Sequence, residues 1–170
     1  AGYGCDDMEA AVENGITELI ESESLTPEEC YLAGKQLSLF ARKVANFFLG
    51  RLGREMLTAQ RTEREYPIFA ELPAADLLPE KSSDPESRTI LQGRIDMLYV
   101  TPEKVVVVDY KSDSRKSLDS ELDSYCEQVK LYRKILPLLM KECSSRSIEL
   151  YLYSFEQERA INVEEVKNDI

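Results

Sequence analysis

Residues 105–113 read VVVVDYKSD, which is four valines followed by an acid, an aromatic residue, a lysine, a serine and a second acid. Four consecutive β-branched residues predict a strand that is buried on both faces. Because side chains alternate along a strand, Asp109 and Lys111 share one face and Tyr110 points to the other. The stretch therefore predicts a central strand that ends with an acid and a base on the same face.

A β-hairpin is predicted to join this strand to the one before it. ILQGRIDMLYV (90–100) and VVVVDYK (105–111) are β-rich runs on either side of the Pro-containing turn TPEK (101–104). A turn there pairs residues whose numbers sum to about 205, so Asp96 lies directly opposite Asp109. The Cβ atoms of such neighbours are roughly 5 Å apart, and like charges this close are destabilising unless something lies between them. A divalent cation is the natural candidate.

Asp109 and Lys111, considered without Asp96, have two structural explanations that involve no metal. An aspartate at the end of a strand often caps the next loop, and an acid and a base on one face often form a simple salt bridge. Asp109 and Lys111 by themselves therefore favour a structural role. The position of Asp96 across the hairpin makes a metal site an equal alternative.

The remaining elements predict an α/β fold in a single domain covering residues 1–170. Apolar residues at helical spacing predict a helix over 7–21. Thr26-Pro27-Glu28-Glu29 is typical of a helix start, and the helix that follows, long or broken, reaches about residue 57.

The second part of the chain alternates strands and a helix. We predict a strand over 61–69 that is ended or kinked by Pro67, a surface loop over 71–88, the hairpin, a polar loop over 112–119, a helix over 120–140 and a final strand over 148–155. This order predicts a mixed central β-sheet flanked by α-helices.

The amino-acid composition limits which catalytic groups and which metal ligands this chain can provide. The 170 residues include no histidine, which excludes histidine acid–base catalysis and histidine-ligated metals within this chain. Four scattered cysteines (Cys5, Cys30, Cys126, Cys143) lack a C-x-x-C spacing and favour free thiols in a reducing compartment. Any metal must then bind oxygen ligands, which favours Mg²⁺ or Mn²⁺.

No apolar run is long enough for a membrane helix, so we expect no membrane partner.

The charge balance counts against a general nucleic-acid binder. With 21 basic and 32 acidic residues the net charge is −11, whereas nucleic-acid-binding domains are usually basic. An enzyme that meets phosphate through a metal and a few local cations is still compatible with this charge.

Four motifs resemble those of a known family. They are Thr62–Phe69 (TEREYPIF), Gly93–Asp96 (GRID), Asp109–Asp113 (DYKSD) and Gln128–Tyr132 (QVKLY). In this order they resemble the R-E-x-P-F, G-x-x-D, D-Y-K-T-D and Q-x-x-x-Y motifs of the RecB-type branch of the PD-(D/E)XK nucleases. Within that branch the pattern is most similar to the C-terminal nuclease domain of AddA-type subunits of bacterial helicase–nucleases. The resemblance implies a restriction-endonuclease-like core over 60–155, with 1–58 as its helical part.

The resemblance also implies roles for the residues of the hairpin. Asp96, Asp109 and the backbone carbonyl of Tyr110 are implied metal ligands, and Mg²⁺ or Mn²⁺ is the implied cofactor. The metal would polarise the scissile phosphate and lower the pKa of the attacking water. Lys111 would orient that water or stabilise the charge on phosphate.

Residues outside the hairpin have plainer alternatives. Gln128 and Tyr132 share a helix face and would reach the metal or the DNA backbone, although Tyr132 also fits an apolar core stripe. Glu65 would lie near the site, although single glutamates are more often solvated charges. Arg115 and Lys116 could hold the DNA backbone, although a basic pair in a loop is usually only solvated.

One feature departs from the family pattern. The RecB-type branch usually carries a further metal ligand, a histidine in a G-x-x-x-H motif on an early helix, and this chain has none. Either the chain begins downstream of that helix or the ligand has been lost. We therefore keep a catalytically weak DNA-binding or docking module as the alternative to a nuclease, with an unrelated metal-dependent hydrolase as a third.

The resemblance further implies a context. It predicts DNA as substrate, a helicase portion in the same polypeptide, a second AddB-like subunit, and a cytoplasmic location in bacteria, in the repair of double-strand breaks. The chain contains no Walker P-loop, so ATP binding would belong to the parent protein.

Overall fold

The chain is described here by a computed structural model that covers residues 4–22, 25–74, 86–111 and 131–163. These residues divide into two units. One comprises the residues up to Thr58 together with Phe155–Glu158, and the other comprises Ala59–Ser154 and the residues from Arg159 onward. That both units make a single domain stays a prediction.

The first unit is helical. Its helices are α1 (Cys5–Glu21), α2 (Pro27–Lys35), α3 (Leu37–Leu49) and α4 (Arg51–Leu57). None of the helices in the described ranges is long and apolar enough to cross a membrane.

The predicted helix start at Thr26 is confirmed. The backbone N–H of Glu29 donates to the Thr26 hydroxyl at 3.3 Å, and the Glu29 carboxylate accepts from the backbone N–H of Thr26 at 2.7 Å. This reciprocal pair satisfies two amides that an α-helix leaves open at its start. The helix that follows is broken, as one alternative predicted, at Gln36 and again at Gly50, and the backbone is extended at Gly50.

Gly53 allows α4 to pack closely after this break. A Cβ atom on Gly53 would lie 2.3 Å from the carbonyl oxygen of Phe47 and 2.4 Å from the Cα of Phe48. No side chain fits at that distance, so this position requires glycine. The buried apolar residues around it are Ala41, Ala45, Phe47, Leu52 and Met56.

The second unit is built on a five-stranded sheet. Its strands are β1 (Arg61–Pro73), β2 (Arg88–Val100), β3 (Lys104–Lys111), β4 (Ser147–Ser154) and β5 (Arg159–Asn162), in that spatial order. β3 and β4 are parallel and the other neighbours are antiparallel, which confirms the predicted mixed sheet. The strand predicted as final is followed by β5, so that part of the prediction is wrong.

A helical stretch covers one face of this sheet. Residues 131–139, here α5, are helical and lead into a 3₁₀ turn at Lys141–Ser144. Tyr132, Ile135 and Leu136 from α5 form one buried cluster with side chains from all five strands. A helix between two parallel strands is the usual crossover in an α/β fold.

The four valines of β3 form the centre of the sheet. Val105, Val106, Val107 and Val108 are each 0% exposed, which confirms the prediction of a strand buried on both faces. Burying a valine side chain contributes about 1.5–3 kcal/mol. The strand that carries Asp109 and Lys111 is therefore held rigidly.

Pro67 does not end its strand, contrary to one of the two alternatives predicted. β1 continues to Pro73, into the stretch predicted as loop. β1 is an edge strand, and the N–H of Ala74 donates to the carbonyl of Ser87 at 2.8 Å. Because hydrogen-bonded pairs alternate along an antiparallel ladder, Pro67 falls where its missing N–H would point away from β2.

Candidate active site

The hairpin between β2 and β3 brings the two aspartates together. The turn closes with the N–H of Thr101 donating to the carbonyl of Lys104 at 2.9 Å. The ladder then pairs Val100 with Val105 and continues to Met97 and Val108, which is the predicted register. The ladder ends there, one position before Asp96 and Asp109, and the charge of Asp96 still acts on Asp109.

Asp96 ends this ladder with its side chain. Its Oδ2 accepts a hydrogen bond from the backbone N–H of Tyr110 at 2.8 Å, and the residue is half-buried. The carboxylate of Asp96 is therefore held at the carboxyl end of β3. The phenol of Tyr110 lies edge-on to the ring of Tyr153, with centroids 6.5 Å apart, and burial raises its pKa.

Asp109 is one of two buried polar residues among those described, at 5% exposure. The Nζ of Lys111 lies 2.5 Å from Asp109 Oδ2. This contact is a close ion pair between an ammonium group and a buried carboxylate. The salt bridge predicted as the plainer alternative is therefore present.

Burial dominates the ionisation of Asp109. It raises the pKa of this carboxyl above its usual value, the Lys111 ammonium opposes that rise, and the charge of Asp96 adds to it. A buried carboxylate is stabilised by nearby positive charge. Lys111 supplies part of that charge.

The donor atoms at this strand end suit a hard divalent cation. Two carboxylates and the main-chain carbonyl of Tyr110 are oxygen ligands of the kind that Mg²⁺ and Mn²⁺ prefer. A cation here would add to the positive charge that Lys111 supplies to the buried Asp109 carboxylate. Over the described ranges no three His, Cys, Asp or Glu side chains gather, so a cation here would rely on two carboxylates together with main-chain oxygen or water.

Glu65 lies opposite Asp96 on the other neighbouring strand. The flanking pairs, Arg64 with Met97 and Tyr66 with Ile95, put these two acids across from each other. Glu65 has φ of 51°, in the left-handed region that glutamate rarely adopts. Strained backbone of this kind is concentrated at functional sites.

The Glu65 side chain is bound to an arginine. Its Oε2 lies 3.1 Å from Nη1 of Arg94, and both side chains are more than 60% exposed. The structure thus brings Glu65 to the neighbourhood of Asp96, as predicted, but gives it a cation as partner. Its catalytic role stays a prediction.

Tyr132 is a core residue. It is 4% exposed and packs in the cluster of the second unit, and its hydroxyl donates to the backbone carbonyl of Arg94 at 3.2 Å. The core alternative is therefore confirmed, and a contact with metal or DNA stays a prediction. Gln128, Arg115 and Lys116 lie outside the described residues.

Two features of the site were not predicted from the sequence, the left-handed Glu65 and the ion pair that it forms with Arg94. Arg94 stands two residues before Asp96, which is a signal that could have singled it out. The pairing with Glu65 could not be foreseen, because the register of β1 against β2 is set across a long connection and not by a tight turn.

Comparison with known proteins identifies the family to which the chain belongs. Residues 3–169 match the family model described as the PD-(D/E)XK nuclease superfamily. The chain is 32% identical over 158 residues to a Clostridium perfringens protein that is named as a subunit of an ATP-dependent helicase/nuclease, and the match covers 87% of this chain. Proteins of the same name from Syntrophomonas wolfei and Geobacillus thermodenitrificans are 33% and 27% identical, over 91% and 92% of this chain. The chain spans 12–13% of the length of these relatives.

Proposed function

Because the chain belongs to the PD-(D/E)XK nuclease superfamily, we propose that it is a metal-dependent DNA nuclease domain of the exonuclease type. It hydrolyses phosphodiester bonds with an activated water. The single observation that carries this proposal is the buried Asp109 carboxylate, which is paired with Lys111 at the end of β3 and follows the last ladder pair of the hairpin that also carries Asp96.

Three groups would hold the cation, Mg²⁺ or Mn²⁺: the carboxylates of Asp96 and Asp109 and the carbonyl of Tyr110. When bound, such a cation supplies Lewis-acid polarisation of the phosphate and lowers the pKa of water. Asp96 already accepts a hydrogen bond from the N–H of Tyr110, which fixes the carboxylate beside the carbonyl end of β3. The four buried valines keep this geometry from relaxing.

We propose that Lys111 acts on the scissile phosphate or on the attacking water. In the structure its ammonium pairs with the Asp109 carboxylate. If a cation took its place beside that carboxylate, Lys111 would be able to contact the substrate, where it would stabilise the negative charge that develops on phosphate or orient the attacking water. Glu65, Gln128 and Tyr132 remain proposed members of the same site, and Arg115 and Lys116 remain proposed contacts to the DNA backbone.

The relatives support a larger context for this domain. Their name includes both helicase and nuclease, and this chain corresponds to about an eighth of their length. We therefore propose that a helicase portion lies in the same polypeptide, that the partner is an AddB-like subunit, and that the assembly acts in double-strand-break repair in the bacterial cytoplasm.

A catalytically weak DNA-binding or docking module is the second candidate. Two observations favour it, the absence of histidine from the sequence and the absence of a three-residue metal cluster from the described residues. Such a module would keep the fold without turnover.

The test is cleavage of end-labelled single- and double-stranded DNA by the EDTA-treated chain during titration with Mg²⁺ and with Mn²⁺. We expect cleavage that depends on the metal and falls by at least about 10²-fold in Asp109→Ala and Lys111→Ala. Glu103→Gln, an exposed acid in the hairpin turn, is the control and should cleave normally.

A longer piece of the parent protein is the second arm of this test. If the parent supplies a histidine-bearing helix upstream, the longer piece should cleave at least as well as this chain. If neither the chain nor the longer piece cleaves DNA with either metal while both are folded, the nuclease function is wrong and the docking module is favoured.

A further inference from the structure

Two exposed ion pairs bridge β1 and β2, and they differ in where they lie. One joins Glu65 to Arg94 at 3.1 Å, and the other joins Glu71 to Arg88, also at 3.1 Å. Their side chains are similarly exposed, between 53% and 66%. The first pair is anchored opposite Asp96, whereas the second pair is six residues farther along β1.

The Glu65–Arg94 pair is one that another anion can replace. Exposed ion pairs contribute little to stability, and an arginine guanidinium matches a phosphate as well as it matches a carboxylate. The Arg94 backbone is fixed at the same time, because the Tyr132 hydroxyl donates to its carbonyl and Pro67 pairs with it across the ladder. Arg94 therefore combines a fixed main chain with an exchangeable head group.

The negative charge around Asp96 means that a DNA phosphate needs a positively charged side chain to bind at this site. Asp109 and Glu65 lie on the two strands that flank Asp96, in a chain whose net charge is −11. The Lys111 ammonium is already engaged with Asp109. Arg94 is the exposed cation of β2 next to these acids, and within the described ranges its ion-pair partner is Glu65.

We propose that Arg94 binds a phosphate of the DNA backbone beside the Asp96–Asp109 site, and that Glu65 holds the guanidinium there until DNA displaces the carboxylate. This inference rests on the proposed DNA substrate. It makes Arg94 a substrate-binding residue and Glu65 its competitor. Glu65 combines a left-handed backbone, with φ of 51°, and this ion pair with Arg94.

The experiment measures binding of the 170-residue chain to a fluorescein-labelled single-stranded DNA of about 20 nucleotides by anisotropy. Ca²⁺ replaces Mg²⁺, and a gel confirms that the probe stays intact. Arg94→Gln should weaken binding roughly tenfold and reduce the magnitude of the salt slope by about 0.7, the value for one phosphate contact to a single strand. Arg94→Lys should keep the slope but bind less tightly.

Glu65→Gln should have the opposite effect. Removing the competitor frees the guanidinium, so binding should tighten by up to about fivefold. In the double variant Arg94→Gln/Glu65→Gln this gain should vanish, because there is no longer a guanidinium to release. A merely electrostatic effect of losing one acid near DNA would persist in the double variant.

The second ion pair provides matched controls. Arg88→Gln and Glu71→Gln make the same charge changes on the same two strands and should each alter affinity less than about twofold. Thermal unfolding of all variants should stay close to wild type, since the side chains are exposed. Equal losses in Arg94→Gln and Arg88→Gln, or a gain from Glu65→Gln that survives in the double variant, would overturn the inference.

Failure of this inference and failure of the proposed function are distinguishable. A wild-type chain that binds and cleaves DNA while Arg94→Gln behaves like wild type refutes only the role of Arg94. A folded wild-type chain that neither binds nor cleaves DNA refutes both.

Discussion

At the scale of single residues, the burial of Asp109 lowers the stability of the folded chain when its carboxylate is charged, although the proposed metal site needs that charge. The hydrophobic strand that fixes its position also buries its carboxylate, and burial raises its pKa. Such a group binds protons more readily in the folded chain than in the unfolded chain. Its contribution to stability is fully present below its usual value of 3.8 and is lost as the pH rises through the raised folded value.

Asp109→Asn is therefore expected to stabilise the metal-free protein at neutral pH. Asparagine keeps the shape and removes the charge that burial disfavours. Each 1 kcal/mol gained would raise the Tm by about 2–4 °C in a chain of this size. The gain over wild type should be largest at about pH 7 and shrink as the pH falls toward 3.8, as measured by thermal unfolding in EDTA.

Glu103→Gln controls for the loss of one acid from a chain of net charge −11. It should change the Tm little, and by the same amount at both pH values. An Asp109→Asn variant that is less stable than wild type at neutral pH would contradict the burial argument.

At the scale of elements, the hairpin and the helix ends were predictable because they are local. Thr26 and Glu29 satisfy each other within one turn, and a four-residue turn determines the register of β2 against β3. The break before α4 was left open, and its geometry depends on a close approach at Gly53 that no pattern reveals. Such contacts depend on the packing of two helices.

Gly53→Ala is expected to destabilise the helical unit strongly. Its Cβ would overlap the Phe47 carbonyl and the Phe48 backbone, which cannot move away as a flexible side chain could. We expect a loss of at least about 3 kcal/mol in the free energy of unfolding, measured with urea.

Gly15→Ala is the matched control in α1. A Cβ there meets nothing within 4 Å, so alanine should stabilise the chain by about 0.5–1 kcal/mol through helix propensity. Equal effects of the two substitutions would mean that α3 and α4 do not approach each other as described.

At the scale of the whole molecule, charge limits how this chain can meet DNA. A net charge of −11 repels phosphate, so binding requires cations at a defined place. The two proposed sources are a divalent ion held by Asp96 and Asp109 and the guanidinium of Arg94. Both act at one end of the β2–β3 hairpin.

A divalent ion that binds the folded chain should raise its stability. At a Mg²⁺ or Mn²⁺ concentration about 100 times the Kd the expected gain is about 2.7 kcal/mol, or a Tm increase of about 5–10 °C. Thermal unfolding at constant ionic strength separates this effect from screening of the net charge. Asp96→Asn and Asp109→Asn should abolish the increase, whereas Glu71→Gln should keep it.

Short stretches of the sequence were sufficient to predict much of the structure of this protein. A tight turn determines the register of β2 against β3 up to Met97 and Val108, and strand alternation predicts that Asp109 and Lys111 share a face. Tertiary structure alone decided the rest, namely the addition of β5, the passage of β1 through Pro67, and the Glu65–Arg94 pair. These features join segments that are far apart in the chain, and their geometry depends on the packing of the whole sheet and not on any short stretch.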